Sequence, residues 1–154
     1  MMLVGRITKA KSPWWIATCD SIGAFTQGRS RKDAMLMLAD CIETLVDRPD
    51  FDATVTELSA DGTNRFTVLI ESSEPAVLVA EVLKYQRSVH RLSVKDVASK
   101  LAASSRSAYV RFEQGRSEPS LSALSEILGV VAPEMALVVE NRAVEKRAPK
   151  RKAR

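Results

Sequence analysis

The chain has one histidine, two cysteines and no long apolar run. A helix that crosses a bilayer needs about 20 consecutive apolar residues, so we expect no membrane span. The charged residues within Met1–Ala10 make this stretch a poor signal peptide. We therefore expect a cytoplasmic protein in which Cys19 and Cys41 are reduced and mostly buried thiols.

Residue patterns that support catalysis or cofactor binding are also missing. No placed acid or nucleophile accompanies the single histidine, His90. The chain contains no glycine-rich phosphate loop and no metal-ligand spacing. Asp20 falls in a predicted turn, whereas Asp33 and Asp40 fall on a predicted helix, so no strand-borne acidic pair is available to bind magnesium. We expect no enzyme activity, no cofactor and no metal.

Positive charge is concentrated in two parts of this chain, whose formal net charge is +4. Residues 87–120 contain seven basic and three acidic side chains, and residues 141–154 contain seven basic and one acidic. The remainder is acidic. Concentrated positive charge favours attraction to phosphate at those segments. Because residues 141–154 are also poor in apolar side chains, we expect a basic disordered tail there.

Residues 1–72 predict a small α+β domain. Alternating apolar residues between turn signals predict five strands: Met2–Thr8, Trp14–Cys19, Ala24–Gln27, Ala53–Leu58 and Arg65–Glu71. A helix is predicted from Ser30, which pairs with Asp33 as a capping box, to the residues before Pro49. Its inward face is expected to carry Met35, Leu38, Ile42 and Leu45. The order βββαββ corresponds to an antiparallel sheet with one helix across a face.

Residues 73–140 predict an all-α domain. Helix-entry signals occur at Ser72–Pro75, Ser93, Ser104 or Ser105, and Ser120. The expected inward residues are Ala76, Val79, Leu83 and Arg87 in the first helix, Val94, Val97, Ala98 and Leu101 in the second, Tyr109 and Phe112 in the third, and Leu121, Leu124, Ile127 and Leu128 in the fourth. The short run Met135–Val139 fits either a strand or another helical turn.

The third of these helices has a pattern typical of DNA recognition. Its predicted outward residues include Arg106, Ser107 and Arg111, while Tyr109 and Phe112 face the interior. Arginine makes two hydrogen bonds to guanine, and serine contacts a base edge or a phosphate. The pattern indicates a helix that enters the major groove of operator duplex DNA.

Residues 77–131 resemble the repressor-type helix-turn-helix of the Xre/Cro class. The matching residues are Leu92-Ser93, Val97-Ala98, Leu101, Ser105-Arg106-Ser107, Arg111-Phe112-Glu113-Gln114-Gly115 and Pro119-Ser120-Leu121. One extra residue in the turn around Ala102–Ser104, and Lys95 where the class often has glutamine, depart from the class pattern. The resemblance implies base contacts from Arg106 and Ser107 and phosphate contacts nearer Lys95, Ser105 and Arg116. The complete predicted DNA-binding set is Lys95, Ser104, Ser105, Arg106, Ser107, Arg111 and Arg116.

Residues 2–71 resemble the HicB-type antitoxin domain. The resemblance is carried by Trp15–Cys19, Ile22-Gly23, Thr26-Gln27-Gly28 and the helix with Ala34, Leu38, Asp40, Ile42 and Leu45. It implies a reduced ribonuclease H-like fold without that activity, here followed by an all-α helix-turn-helix domain. It also implies two partners, a small mRNA-cleaving toxin of the HicA type and operator DNA, bound by a homodimer or a dimer of dimers.

Candidate toxin contacts follow from charge and exposure. Residues 1–73 contain eight basic and ten acidic side chains, and Asp40, Glu43 and Asp47 lie late in the predicted helix, where they would attract a basic toxin. The alternative interpretation is that these acidic residues form an ordinary solvent-exposed helix face with no partner. Trp14 and Trp15 point in opposite directions on a strand, so one packs in the core and the other is exposed or at an interface. The sequence leaves open which.

Together the two resemblances imply an antitoxin that neutralises the toxin through its N-terminal domain and represses its own operon through its C-terminal domain. Two other functions fit the same sequence. The first alternative is a stand-alone DNA-binding regulator whose N-terminal domain binds another ligand or only oligomerises. The second is a residual nuclease, which the missing acidic pair disfavours.

Overall fold

The computed structural model describes residues 2–138 as an α+β protein with one five-stranded antiparallel sheet and five helices. The strands are β1 (Leu3–Lys9), β2 (Trp15–Cys19), β3 (Ala24–Gly28), β4 (Thr54–Ala60) and β5 (Arg65–Glu71). The helices are α1 (Arg31–Val46), α2 (Pro75–Val89), α3 (Val94–Lys100), α4 (Ala103–Glu113) and α5 (Leu121–Val131). A single 3₁₀ turn, Asp20–Ile22, joins β2 to β3.

The sheet has the strand order β3-β2-β1-β5-β4, and every neighbouring pair is antiparallel. Alternate residues of each strand point to one side of the sheet, where α1 packs on β3 and β2 and also contacts β1 and β4. Ile7 and Val68 are completely buried on that side. Gly28 permits the close approach, because an added Cβ would lie 2.2 Å from the backbone nitrogen of Ala34 in α1.

Helix α1 begins where its sequence predicts. The Ser30 hydroxyl accepts the Asp33 N–H, and the Asp33 carboxylate accepts the Arg29 N–H. The predicted inward face differs in detail, because Leu45 is 44% exposed. The buried residues of α1 are Ala34, Leu38 and Ile42, which recur every four residues along the side that faces the sheet.

Helix α2 is buried over most of its circumference. Its buried residues are Val77, Leu78, Val79, Ala80, Val82, Leu83 and Gln86, and at about 100° per residue only a narrow stripe with Lys84 and Ser88 is left exposed. An apolar surface this wide needs partners on more than one side. Accordingly, α2 contacts α1 and the 3₁₀ turn on one side, and α4 and α5 on the other.

The contact between α2 and the 3₁₀ turn is specific. The Gln86 amide donates a 3.0 Å hydrogen bond to the Ser21 carbonyl. Gly23, which follows the turn with a φ of +67°, lies directly beneath the Tyr85 ring, so that a Cβ on Gly23 would be 2.3 Å from the ring edge. The helices are therefore joined to the sheet by side-chain contacts as well as by the chain connection.

The prediction of an all-α helix-turn-helix domain after the sheet is wrong. One continuous group of contacting buried residues extends from Ile7 in β1 through Leu78 and Leu83 in α2 to Ile127 in α5. The sequence pattern predicted only one apolar stripe on α2. Val77 and Val82, which lie beside that stripe, are buried as well, so α2 has a wider buried surface than a helix of a separate domain was expected to have. The predicted domain limits 1–72 and 73–140 stay predictions; position 72 lies between β5 and α2.

Residues 135–138 form neither a strand nor a helix, and the rest of that predicted segment lies outside the described residues. The predicted tail, 141–154, lies outside them too. Both cysteines are free, with Cys19 buried and Cys41 half-buried. Among residues 2–138, no helix has the length and apolar character needed to cross a membrane.

Two glycine substitutions test the docking of α2 on the sheet. Gly62 has a φ of +73° and open space around it, so Gly62→Ala incurs only the left-handed backbone cost of about 1–2 kcal/mol. Gly23→Ala incurs the same cost and also displaces the Tyr85 ring, so we expect about 1–3 kcal/mol of further destabilisation. Urea unfolding followed by circular dichroism measures the difference. Equal losses in the two variants would mean that α2 does not pack on the turn.

Candidate nucleic-acid interface

Helix α4 presents two chemically different faces. Ser105, Tyr109, Phe112 and Glu113 are buried. Ser104, Ser107 and Arg111 are exposed and recur at helical spacing on the opposite side; we call these three residues the α4 ridge. The inward orientation predicted for Tyr109 and Phe112 is confirmed, with exposed fractions of 0% and 8%.

A buried charged cluster joins α4 to α2. The Arg87 guanidinium donates two hydrogen bonds to the Glu113 carboxylate, at 2.6 and 3.1 Å, and a third to the Leu92 carbonyl. The Tyr109 hydroxyl donates to the same carboxylate. Burial and then the Glu113 carboxylate raise the pKa of Tyr109 well above its usual value, so the hydroxyl keeps the proton that it donates. The cluster fixes the rotation of α4 about its own axis.

Arg106 has a different position from the one predicted. It is exposed, but its Nε and Nη2 donate to the carbonyl oxygens of Ala98 and Leu101, at 2.8 and 3.1 Å. These carbonyls belong to the end of α3, where backbone acceptors lack partners within the helix. Arg106 therefore caps α3 and holds α3 against α4, which leaves only Nη1 without a partner among the described residues.

The start of α4 is capped from another helix. The sequence predicts Ser104 or Ser105 as the cap, but α4 begins after Ala102, which has no capping side chain. The Glu126 carboxylate of α5 accepts the Ala102 N–H and the Ser105 hydroxyl, both at 2.6 Å. A negative charge at this helix end also interacts favourably with the helix dipole.

Ser105 is consequently engaged in the interior. The residue is only 5% exposed, and its hydroxyl donates a hydrogen bond to Glu126. This placement does not fit the predicted phosphate contact. Lys95, in the first turn of α3, and Arg116, in the turn after α4, are both exposed, as a phosphate contact requires. Together with the α4 ridge they are the predicted DNA-binding residues that remain available to a ligand.

The charge around α4 is mainly positive. Arg87 and Glu113 neutralise each other in the interior. The exposed charged side chains of residues 87–120 are Arg91, Lys95, Lys100, Arg106, Arg111 and Arg116, with Asp96 and Glu118 as the only exposed acids. Asp96 is already engaged, because its carboxylate accepts the Ser93 N–H in a capping box. The surface thus has the charge that attracts phosphate.

The predicted toxin-binding residues fall into two separate places. Trp15 packs against Phe66, with ring centroids 5.8 Å apart, and pairs with Gly28 just before α1 begins. Trp14 is half-buried and outside the core. Both lie near the start of α1, whereas Asp40 and Glu43 lie in its second half and Asp47 directly follows it, in a helix about 24 Å long at 1.5 Å per residue.

The acidic residues also differ in their availability. Asp40 is exposed, and so is Asp47, which ends α1 in a left-handed conformation. The Glu43 carboxylate accepts the Ala53 N–H at 2.9 Å, so it stabilises the connection to β4.

Three residues that hold this site together were not predicted from the sequence: Arg87 as an ion-pair partner, Glu113 and Glu126. Glu113 follows Tyr109 by four residues and therefore lies on the apolar face of α4, where an acid indicates a buried partner. Ala102 before a helix likewise indicates that a cap must come from elsewhere. Neither signal identifies the partner.

No protein-family model, curated protein or solved structure matches this chain.

Substitution of Glu126 tests the cap that holds α4. Hydrogen bonds from Ser105 and from the Ala102 N–H lower the pKa of the Glu126 carboxyl. A lowered pKa in the folded state means that the stabilisation is present above the usual glutamate pKa and disappears as the pH falls through the folded value. We expect Glu126→Gln to lower the Tm at pH 7, and the difference from wild type to become smaller at pH 3.

Glu118→Gln is the matched control, because Glu118 is exposed and makes no described polar contact. It should leave the Tm unchanged at both pH values. Thermal unfolding followed by circular dichroism provides the measurement. A Glu126→Gln difference that stays constant between pH 7 and pH 3 would contradict the role of the ionised carboxylate.

Proposed function

We propose that the protein is a cytoplasmic DNA-binding regulator that inserts α4 into the major groove of duplex DNA and represses its own operon. The observation that carries this proposal is the α4 ridge, in which two serines and an arginine are exposed along one side of a helix whose other side is buried. The major groove of B-DNA is about 12 Å wide and admits an α-helix. Arg111 would read guanine, and Ser104 and Ser107 would contact base edges or phosphates.

The surrounding charge supports this proposal. Lys95, Lys100 and Arg116 flank the ridge from α3 and from the turn after α4. Phosphate contacts of this kind set the orientation of a protein on DNA and supply much of the binding free energy. Because they release counterions, the affinity should fall as the salt concentration rises.

The ridge is also held rigidly. Arg106 ties α4 to α3, Glu113 ties it to α2 through Arg87, and Glu126 ties its first turn to α5. Side chains presented by a preorganised helix lose less conformational entropy when they bind. In a homodimer or a dimer of dimers, two such ridges would contact half-sites about one DNA turn apart.

Arg111→Ala tests the reading role of the ridge. We expect it to weaken binding to the upstream operator by about 1–3 kcal/mol, because a bidentate arginine–guanine contact would be lost. Arg6→Ala is the control, because Arg6 is an exposed arginine on β1 whose charge pairs with Asp20. Fluorescence anisotropy with labelled operator and with scrambled duplex separates specific from non-specific binding. Unchanged operator affinity for Arg111→Ala, or no operator binding by the wild type at low salt, would refute the proposal.

A second function, neutralisation of a small basic mRNA-cleaving toxin, is favoured by the acidic end of α1. We define this end as Asp40, Asp47 and Asp50, which are all exposed. The last turn of α1 contains no basic residue, and Arg48, which follows, pairs with Glu74. Unneutralised carboxylates at a helix C-terminus give a locally negative surface that would attract a basic partner. This placement leaves Trp14 and Trp15 outside the proposed toxin contact.

The partner can be tested by co-purification. We expect a small basic protein to co-purify with the chain from its native host, and the triple variant Asp40→Asn, Asp47→Asn, Asp50→Asn to retain about tenfold less of it, since complementary charge speeds association. Asp61→Asn, an exposed acid in the β4–β5 turn, is the control. If no small protein co-purifies with the wild type, the chain acts as a stand-alone regulator and the toxin proposal fails.

A further inference from the structure

Basic and aromatic side chains meet at one end of the sheet, beside the start of α1. We define the tryptophan patch as Lys9, Lys11, Trp14, Trp15, Arg29 and Lys32. Lys9 lies opposite Trp15 in the β1–β2 pairing, and Trp15 lies opposite Gly28 in the β2–β3 pairing. The β1–β2 turn and the first turn of α1 are thereby brought together.

Each tryptophan of the patch has a cation close to its ring. The Lys9 ammonium is 5.1 Å from the centroid of Trp15 and also donates to the Pro13 carbonyl. The Arg29 guanidinium is 5.9 Å from the centroid of Trp14. Trp15 packs against the core through Phe66, whereas Trp14 is half-buried and outside the core cluster. Part of the surface of Trp14 is therefore accessible to a ligand, beside the contact with Arg29.

Most of the positive charge in the patch is uncompensated. The nearby carboxylates are already engaged: Asp33 caps α1, Glu57 pairs with Arg31 and Asp61 pairs with Arg65. Within residues 2–138, no carboxylate lies within ion-pair distance of Lys9, Lys11, Arg29 or Lys32.

The patch makes the sheet region electrically asymmetric. Residues 1–73 contain more acidic than basic side chains, yet four unpaired cations lie near the start of α1 and the acidic residues Asp40, Asp47 and Asp50 lie towards or beyond its end. The cations are thus concentrated at one place in a segment whose net charge is negative. Binding of an anionic ligand at the start of α1 would account for this concentration.

We infer that the tryptophan patch is a second nucleic-acid surface, which binds a single-stranded nucleic acid. Phosphates would contact Lys11, Arg29 and Lys32, and an unstacked base would stack on Trp14. Cationic grooves with aromatic side chains are the usual means of binding single strands, because every base has a face that stacks. A duplex offers no free base to Trp14, and an acidic protein would use the cations without the ring. This surface is distinct from the α4 ridge, which is proposed to read duplex DNA.

The chain's two tryptophans both lie in the patch, so intrinsic tryptophan fluorescence reports on it alone. Full-length protein is titrated with a 12-nucleotide oligouridylate, the corresponding oligothymidylate and a 12-base-pair duplex. We expect either single strand to quench the fluorescence, with an affinity that falls as salt rises. Quenching by the duplex equal to that by the single strands would overturn the inference.

Matched charge variants separate this surface from the α4 region. The double variant Arg29→Ala, Lys32→Ala should bind labelled oligouridylate at least about tenfold more weakly, as measured by anisotropy. The double variant Lys95→Ala, Lys100→Ala removes two exposed charges from α3 and should leave this affinity within about twofold. Equal weakening by both pairs would show unspecific attraction to a cationic protein and would overturn the inference.

Trp14→Ala tests stacking directly. Loss of one stacked base corresponds to about 5- to 150-fold weaker binding of oligouridylate. Trp14→Phe keeps an aromatic face and should recover most of that affinity, and circular dichroism confirms that both variants fold. If Trp14→Ala binds as tightly as wild type, the contact is ionic only and the inference fails.

Discussion

The burial of α2 links the sheet to the last two helices, because α2 contacts α1 and the 3₁₀ turn as well as α4 and α5. Its buried side chains cover most of its circumference and leave only a stripe with Lys84 and Ser88 exposed, so it needs partners on more than one side. The sheet side supplies the 3₁₀ turn, where Gln86 bonds to Ser21 and Tyr85 covers Gly23. The other side supplies α4 and α5. Movement of α2 would therefore disturb the core of the sheet and the orientation of the α4 ridge together.

Polar contacts then determine which face of α4 meets solvent. A buried ion pair adds little net stability, because the desolvation of two charges offsets their attraction. Its contribution here is to orientation. The two parallel hydrogen bonds from the Arg87 guanidinium fit only one placement of the Glu113 carboxylate, and Tyr109 donates to the same group. With Glu126 at the first turn, these contacts exclude other rotations of α4 that its weakly amphipathic sequence would permit.

The proposed functions divide among three surfaces of unlike charge. The α4 ridge and its flanking cations suit duplex DNA, the tryptophan patch suits a single strand, and the acidic end of α1 suits a basic protein. The patch lies at the start of α1 and the acidic end lies in and beyond its second half, so the two clusters of opposite charge are separated along a helix about 24 Å long. A basic toxin bound at one end would leave the other end free for nucleic acid.

The sequence alone determined the local elements: the Ser30 and Ser93 caps, the alternation of the strands and the inward aromatics of α4 depend on neighbours within a few residues. Local pattern could not show that α2 contacts both the sheet side and the last two helices, that Glu126 caps α4 from α5, or that Arg106 is bound to the end of α3. Periodicity reports which side of an element is apolar. It contains no information about which distant element covers that side, so only the tertiary structure decided the single core, the inward position of Ser105 and the meeting of Trp14 with Arg29.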